Sequence, residues 1–125
     1  MAYHPINLAV RFLLELGALA AFSIYGWRLT DHGVLRVGLA VLLPAIAASI
    51  WGVFAVPGDP SRSGSAPVPI PGAARLILEL VFFAAAAWVL SGRSAAWAAA
   101  LAGVAATHYA LSLERIVWLV RGGPA

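Results

Sequence analysis

The chain contains no cysteine, no lysine and few charged residues of either sign. The absence of cysteine excludes a disulfide framework, a CxxC redox pair and any thiolate metal site. Charged residues make up only 10% of the 125 residues, 62% are hydrophobic, and the mean hydropathy is +0.92. A soluble domain averages about 45 to 50% apolar and about 25% charged residues. The composition therefore indicates an integral membrane protein.

The residues that usually carry chemistry or bind nucleic acid are also missing. All eight basic residues are Arg, and they are dispersed along the chain, which is unlike the clustered basic surface of a nucleic-acid-binding protein. There is no HxxxH metal-ligand spacing, no P-loop, no nucleophile elbow and no dinucleotide fingerprint. We therefore expect no nucleic-acid partner, no metal, no cofactor and no enzymatic activity.

Four apolar stretches are each long enough to cross a bilayer, which takes about 20 residues. They are predicted as spans at 6–27, 34–56, 73–90 and 95–120, with a linker rich in Pro, Gly and Ser at 57–72. Pro44 is expected to kink the second span. The short connections make spans one and two antiparallel neighbours, and likewise three and four. The sequence thus predicts an all-α, integral membrane four-helix bundle that forms a single domain over 1–125.

One charged pattern occurs twice in this apolar sequence. Arg11 and Glu15 lie four residues apart in the first span, and Arg75 and Glu79 repeat that RxxxEL spacing 64 residues later. A duplication would make the bundle a parallel repeat of two helical hairpins about an axis along the membrane normal. Chance recurrence in two Leu-rich helices is the alternative.

The charged residues of three spans are predicted to lie at similar depth. Ionisable groups in hydrocarbon cost roughly 2.5 to 3.5 kcal/mol each, so they usually face the bundle interior and pair with one another. Because spans one and three enter from the face that span four reaches last, one leaflet should contain a network of Arg11, Glu15, Arg75, Glu79, Glu114 and Arg115. This network is either a structural clamp between helices or a site for a ligand, an ion or a proton.

The fourth span carries two adjacent rows of small residues at four-residue spacing. Such rows let another helix approach closely, and the rows include Ala99, Gly103, Ala102 and Ala106. We expect a helix of the same chain to pack there; a second protomer or a partner subunit is the alternative.

His108 is the histidine that falls within hydrocarbon, and imidazole can exchange a proton near neutral pH. It is either hydrogen-bonded to the neighbouring backbone or to Ser112, or it acts as a proton-handling residue.

Three motifs resemble those of the YrdB-like family of small bacterial membrane proteins. They are NLxxRFLLEL from Asn7, PxxxAxxWGxF from Pro44 and RLxLE from Arg75, in the same order and spacing as in the family. The resemblance covers nearly the whole chain. It implies four spans in the bacterial cytoplasmic membrane, no catalytic residue, and membership of an uncharacterised family.

Orientation follows from the Arg distribution. Five Arg lie on the side of the N-terminus and three on the other side, which favours cytoplasmic termini; without the Arg residues of the network the count reverses to two against three. The predicted role is a non-enzymatic membrane protein that associates with itself or with a larger membrane complex in the lipid bilayer. The alternative is a small oligomeric transporter or proton-coupled permease that uses the intramembrane Glu residues.

Overall fold

A computed structural model describes residues 2–62 and 66–121 of the chain. Within these residues the helices are α1 (Pro5–Arg28), α2 (Gly33–Val53), α3 (Gly72–Ser91), α4 (Ala95–Ala110) and α5 (Leu113–Val120). Two short strands, β1 (Phe54–Ala55) and β2 (Val68–Pro69), pair in parallel between α2 and α3. The predicted all-α helical bundle is confirmed.

Side-chain caps explain where three of the helices begin. The first N–H groups of a helix have no partner within the helix, and a polar side chain just before it can accept one. His4, His32 and Ser94 accept the backbone N–H groups of Ile6, Leu35 and Trp97, respectively. Two of the three histidines therefore have a capping role at helix starts.

The bundle is organised around α1 and α3. Helix α1 packs along α2, α3 packs along α4, and α1 also contacts α3 and α4. The buried core lies between them and includes Leu14, Ala18, Phe82, Phe83 and Ala105. Helix α2 is peripheral, since it has no buried residue. A Cβ atom at Gly26 would overlap the backbone of α2 at Leu39, so glycine permits the close approach of α1 and α2.

The fourth predicted span, 95–120, is divided into two helices. Helices α4 and α5 are bent by 73° at the intervening residues. Ser112 has a non-helical backbone conformation, and its hydroxyl donates to the carbonyl of His108 four residues earlier, at 2.7 Å. Such a back-bond from serine commonly bends a helix. The expected continuous helix is therefore replaced by a broken one, and α5 turns to pack against α3, where a Cβ atom at Gly72 would overlap the carbonyl of Leu119.

Three helices, α1, α2 and α3, are long and apolar enough to cross a membrane, and the bent pair α4–α5 would make a fourth span. The segment predicted as linker is not wholly irregular, because β2 lies within it and the N–H of Ile70 donates to the carbonyl of Ala55 at 2.9 Å. We call the end of the bundle where α1 begins, α2 ends and α3 begins the terminal face.

Candidate functional site

The carboxylate of Glu79 lies at the centre of the bundle's charged residues. Arg11 donates through Nη1 and Nη2 to Glu79 Oε1 and Oε2 at 3.3 and 2.9 Å. Arg75 Nε lies 2.8 Å from Oε2, and Arg115 donates to both carboxylate oxygens at 2.8 and 2.7 Å. The hydroxyl of Tyr109 donates to Oε1 at 2.7 Å. Since Glu79 is 0% exposed, one carboxylate joins three helices (α1, α4 and α5) to its own.

A buried aspartate outside the helices adds a second negative charge. Asp59 accepts from Arg115 Nε at 3.2 Å and from Arg115 Nη2 at 2.6 Å, and it also accepts the N–H and hydroxyl of Ser61. Burial acts to raise the pKa of the Asp59 carboxyl, but the hydrogen bonds and charge of Arg115 outweigh it, so the pKa lies below its ordinary value. We call the set of Glu79, Asp59, Arg11, Arg75, Arg115 and Tyr109 the Glu79 cluster.

Arg75 also ties the cluster to the end of α2. Its Nη1 donates to the carbonyls of Trp51 and Phe54, each at 2.6 Å. The last carbonyls of a helix lack partners within the helix and carry a partial negative charge, so a guanidinium stabilises them. The indole ring of Trp51 lies beside two cations, 4.4 Å from the guanidinium carbon of Arg75 and 5.1 Å from that of Arg11.

Glu15 lies at the edge of the cluster, beside a cavity. Its Oε1 accepts the indole N–H of Trp51 at 3.0 Å and lies 3.6 Å from Arg11 Nε, and its side chain is 23% exposed. The cavity has a volume of about 270 Å³. We call it the polar cavity; its polar lining residues are Arg11, Glu15, Trp51, Ser61, Arg62 and Arg75.

His108 belongs to a separate group of hydrogen bonds. Its Nδ1 lies 2.9 Å from Asn7 Oδ1, and Asn7 Nδ2 donates to the hydroxyl of Ser112 at 2.9 Å. All three residues are buried. This arrangement connects the start of α1 to the break between α4 and α5. His108 is thus hydrogen-bonded, but its ring contacts Asn7 of α1, whereas Ser112 bonds the backbone carbonyl of His108.

The structure brings together five of the predicted network residues, namely Arg11, Glu15, Arg75, Glu79 and Arg115. The placement of Glu114 in this network is wrong: Glu114 is exposed and accepts the backbone N–H of Ala2. Asp59 takes the position expected of that third carboxylate. The signal that could have found Asp59 was its identity as the one acidic residue between the second and third predicted spans, on the same side of the bundle as Arg11, Arg75 and Arg115.

The four small residues predicted to form the packing face of α4 do not pack inside the chain. Ala99, Ala102, Gly103 and Ala106 are all exposed, and a Cβ atom at Gly103 would meet nothing within 4 Å. The expectation that a helix of the same chain covers them is therefore wrong. The buried side of α4 is instead formed by Ala98, Ala105, His108 and Tyr109, and His108 and Tyr109 hydrogen-bond to Asn7 and Glu79 there.

Comparison with known proteins places the chain in a family. The model of the family described as "Protein of unknown function (DUF2568)" matches residues 9–106. The uncharacterized protein YrdB of Bacillus subtilis (strain 168) is 37% identical over 121 residues, which cover 91% of this chain and 93% of that protein. No solved structure matches. The resemblance to YrdB-like proteins read from the three motifs is confirmed, and the chain belongs to the DUF2568 family of proteins of unknown function.

Proposed function

We propose that this chain is a non-enzymatic membrane protein that associates with another transmembrane helix through the exposed small-residue face of α4. That helix belongs to a second copy of the chain or to a subunit of a larger membrane complex. The proposed location is the bacterial cytoplasmic membrane, with both termini in the cytoplasm. The observation that carries the proposal is the exposure of Ala99, Ala102, Gly103 and Ala106 along one side of α4.

The packing argument rests on what drives helix association in lipid. Lipid tails are as apolar as side chains, so association depends on close van der Waals packing, and small residues allow backbones to approach. Because an added Cβ atom at Gly103 would meet nothing within 4 Å among the described residues, the α4 backbone is open to a neighbouring helix at this position. The face therefore has the shape that a second helix needs.

The Glu79 cluster supports a structural role for the charged residues. Glu79 is 0% exposed and already accepts hydrogen bonds from three guanidinium groups and one hydroxyl. A carboxylate that exchanges protons or binds substrate needs access to water, whereas a clamp needs only stable partners. This burial favours a structural role over transport. A transport path would also have to continue beyond the cluster, where fully buried Ala18 packs in the core on the side away from the terminal face.

Cysteine cross-linking in this cysteine-free chain tests the association. Gly103→Cys is placed on the α4 face, and Val41→Cys is the control, because Val41 is also exposed but lies on a different helix, α2, outside that face. In native membranes treated with an oxidant that forms disulfides between neighbouring thiols, we expect a disulfide-linked dimer from Gly103→Cys and little from Val41→Cys. A second substitution, Ala99→Leu, should reduce that product several-fold, since a bulky side chain blocks close approach.

If the partner is a different protein, the result changes in a defined way. A bifunctional reagent that joins thiols to amines should then give one discrete adduct of larger mass at Gly103→Cys, which Ala99→Leu again reduces. Equal products at Gly103 and Val41, or no product at either, would contradict the proposed association.

A further inference from the structure

The polar cavity lies at the terminal half of the bundle, between α1, the end of α2 and the start of α3. On α1 it extends from Leu8 to Glu15, which is roughly 5 to 15 Å from the start of the helix at 1.5 Å per residue. Ser61 and Arg62, in the loop after β1, also line it. The cavity therefore reaches from the level of the loop into the depth of the membrane.

The charges around this cavity are predominantly positive. Its lining holds three guanidinium groups, Arg11, Arg62 and Arg75, against the single carboxylate of Glu15. Glu79 lies behind the wall and accepts from Arg11 and Arg75, while Asp59 binds Arg115. Even when both of these carboxylates are counted, together with Arg115, the group retains one positive charge. A cavity with this balance attracts an anion and disfavours a cation.

The donors that face the cavity suit oxygen atoms of a tetrahedral anion. A guanidinium presents several N–H groups in a planar fork that matches phosphate oxygens. Arg75 uses Nε for Glu79 and Nη1 for the carbonyls of Trp51 and Phe54, and Arg62 uses Nη2 for the carbonyl of Gly52. These bonds hold both groups in place at the wall, so the cavity is formed before a ligand enters.

The size of the cavity and the apolar part of its lining restrict which phosphate compounds can bind. The volume of about 270 Å³ is just below the range of about 300 to 1,000 Å³ that holds drug-sized molecules. Leu8 and Phe12 also line the cavity, and Phe12 is 58% exposed on the outer surface of α1. A phosphate in the cavity could therefore carry a hydrocarbon chain that lies along Phe12.

We infer that the polar cavity binds a phosphate group, supplied by the headgroup of an anionic phospholipid or by a small soluble phosphate ester. Arg62 and Arg75 bind the phosphate oxygens. Glu15 opposes the anion and limits its affinity, and the indole N–H of Trp51 fixes the Glu15 carboxylate to one side of the cavity.

The test is equilibrium binding to the purified full-length protein in a neutral detergent, measured from the ligand-dependent rise in unfolding temperature. Three probes are used: phosphatidylglycerol, diacylglycerol, which lacks the phosphate, and glycerol 3-phosphate. Each variant is compared with its own ligand-free sample, so a change in basal stability does not affect the result. Arg62→Gln is the principal variant, and Arg121→Gln is the matched control, because Arg121 is an exposed Arg at the end of α5 outside the cavity.

We expect phosphatidylglycerol to bind and diacylglycerol not to bind. Arg62→Gln should weaken phosphate binding about tenfold, the effect of losing one hydrogen bond to a charged group, and Arg121→Gln should leave it unchanged. Glu15→Gln should tighten binding roughly three- to tenfold, since it removes the opposing charge. Weak binding of glycerol 3-phosphate would identify the lipid as the source, and equal or stronger binding would identify a soluble phosphate; both results support the site.

Four results would overturn the inference. Binding of none of the three probes would leave no ligand of this class, and equal binding of diacylglycerol would assign recognition to the hydrocarbon chains. Equal losses in Arg62→Gln and Arg121→Gln would indicate diffuse attraction to a positive surface. Weaker phosphate binding after Glu15→Gln would mean that the carboxylate recognises the ligand, which contradicts an anion site.

Discussion

Helices α1 and α3 carry the same pair of charges at the same spacing, and the bundle uses the two pairs differently. Glu79 of α3 is completely buried and accepts from Arg11, Arg75 and Arg115, whereas Glu15 of α1 is partly exposed and faces a cavity. Arg11 does not pair chiefly with Glu15 in its own helix, since its shorter contacts are to Glu79 across the bundle. The motif spacing thus determines which charged side chains each helix carries. Contacts from other elements determine which of the two carboxylates lies at the centre of the cluster.

The difference has an energetic consequence. Removing one member of a buried, mutually neutralised set leaves the others as uncompensated charge, which is strongly destabilising. A carboxylate at the edge of the set is solvated in part and contributes much less. Glu79 should therefore be sensitive to substitution, and Glu15 should tolerate it.

Among single substitutions outside the two Glu residues, we expect Arg115→Met to cause the largest loss in the free energy of unfolding. This change leaves Asp59 without its Arg partner and removes two of the donors to Glu79, so we expect a loss of about 3 to 5 kcal/mol in the free energy of unfolding. Arg121→Met, an exposed Arg near the end of the same helix, should change it by less than about 0.5 kcal/mol. Reversible denaturation in mixed micelles measures both, and similar losses would mean that Arg115 stabilises the protein through general charge alone.

A smaller effect is expected for Asp59→Asn, which should cost about 2 kcal/mol, within the range for a hydrogen bond to a charged group. Because the pKa of folded Asp59 lies below its ordinary value, its contribution is fully present above the pKa of the unfolded carboxyl, about 3.9. It is lost as the pH falls through the lower, folded-state value.

Stability measured between pH 7 and pH 3 checks this expectation for Asp59. The native chain should lose more stability than Asp59→Asn at the acid end of the range. Parallel curves for the two proteins would show that the ionised Asp59 carboxylate does not contribute to the stability of the cluster.

The sequence predicted the helices well and part of the cluster. Length and hydropathy located α1, α2 and α3 to within a few residues, and depth along those helices brought Arg11, Arg75 and Glu79 to one level. These features depend on local composition and on the fixed rise of a helix.

The errors arose where the chain departs from regular helix. The break at Ser112 turns α5 so that Arg115 points into the bundle and Glu114 points out of it. The prediction assumed one continuous helix over 95–120 and therefore could not include that turn. The sequence indicates the side of the bundle on which Asp59 lies, but not its contact with Arg115, because that contact depends on the turn that follows β1. Exposure of the α4 small residues was missed because side-chain spacing alone does not reveal which face a neighbouring helix occupies.

The most direct test of the account compares Glu79→Gln with Glu15→Gln in the same detergent, by the free energy of unfolding. The two changes remove the same charge from equivalent positions of the repeated motif. We predict that Glu79→Gln costs about 3 to 5 kcal/mol and that Glu15→Gln costs less than about 1 kcal/mol. Equal losses for the two variants, or a larger loss for Glu15→Gln, would contradict the central claim that the bundle is built around one of its two matching carboxylates.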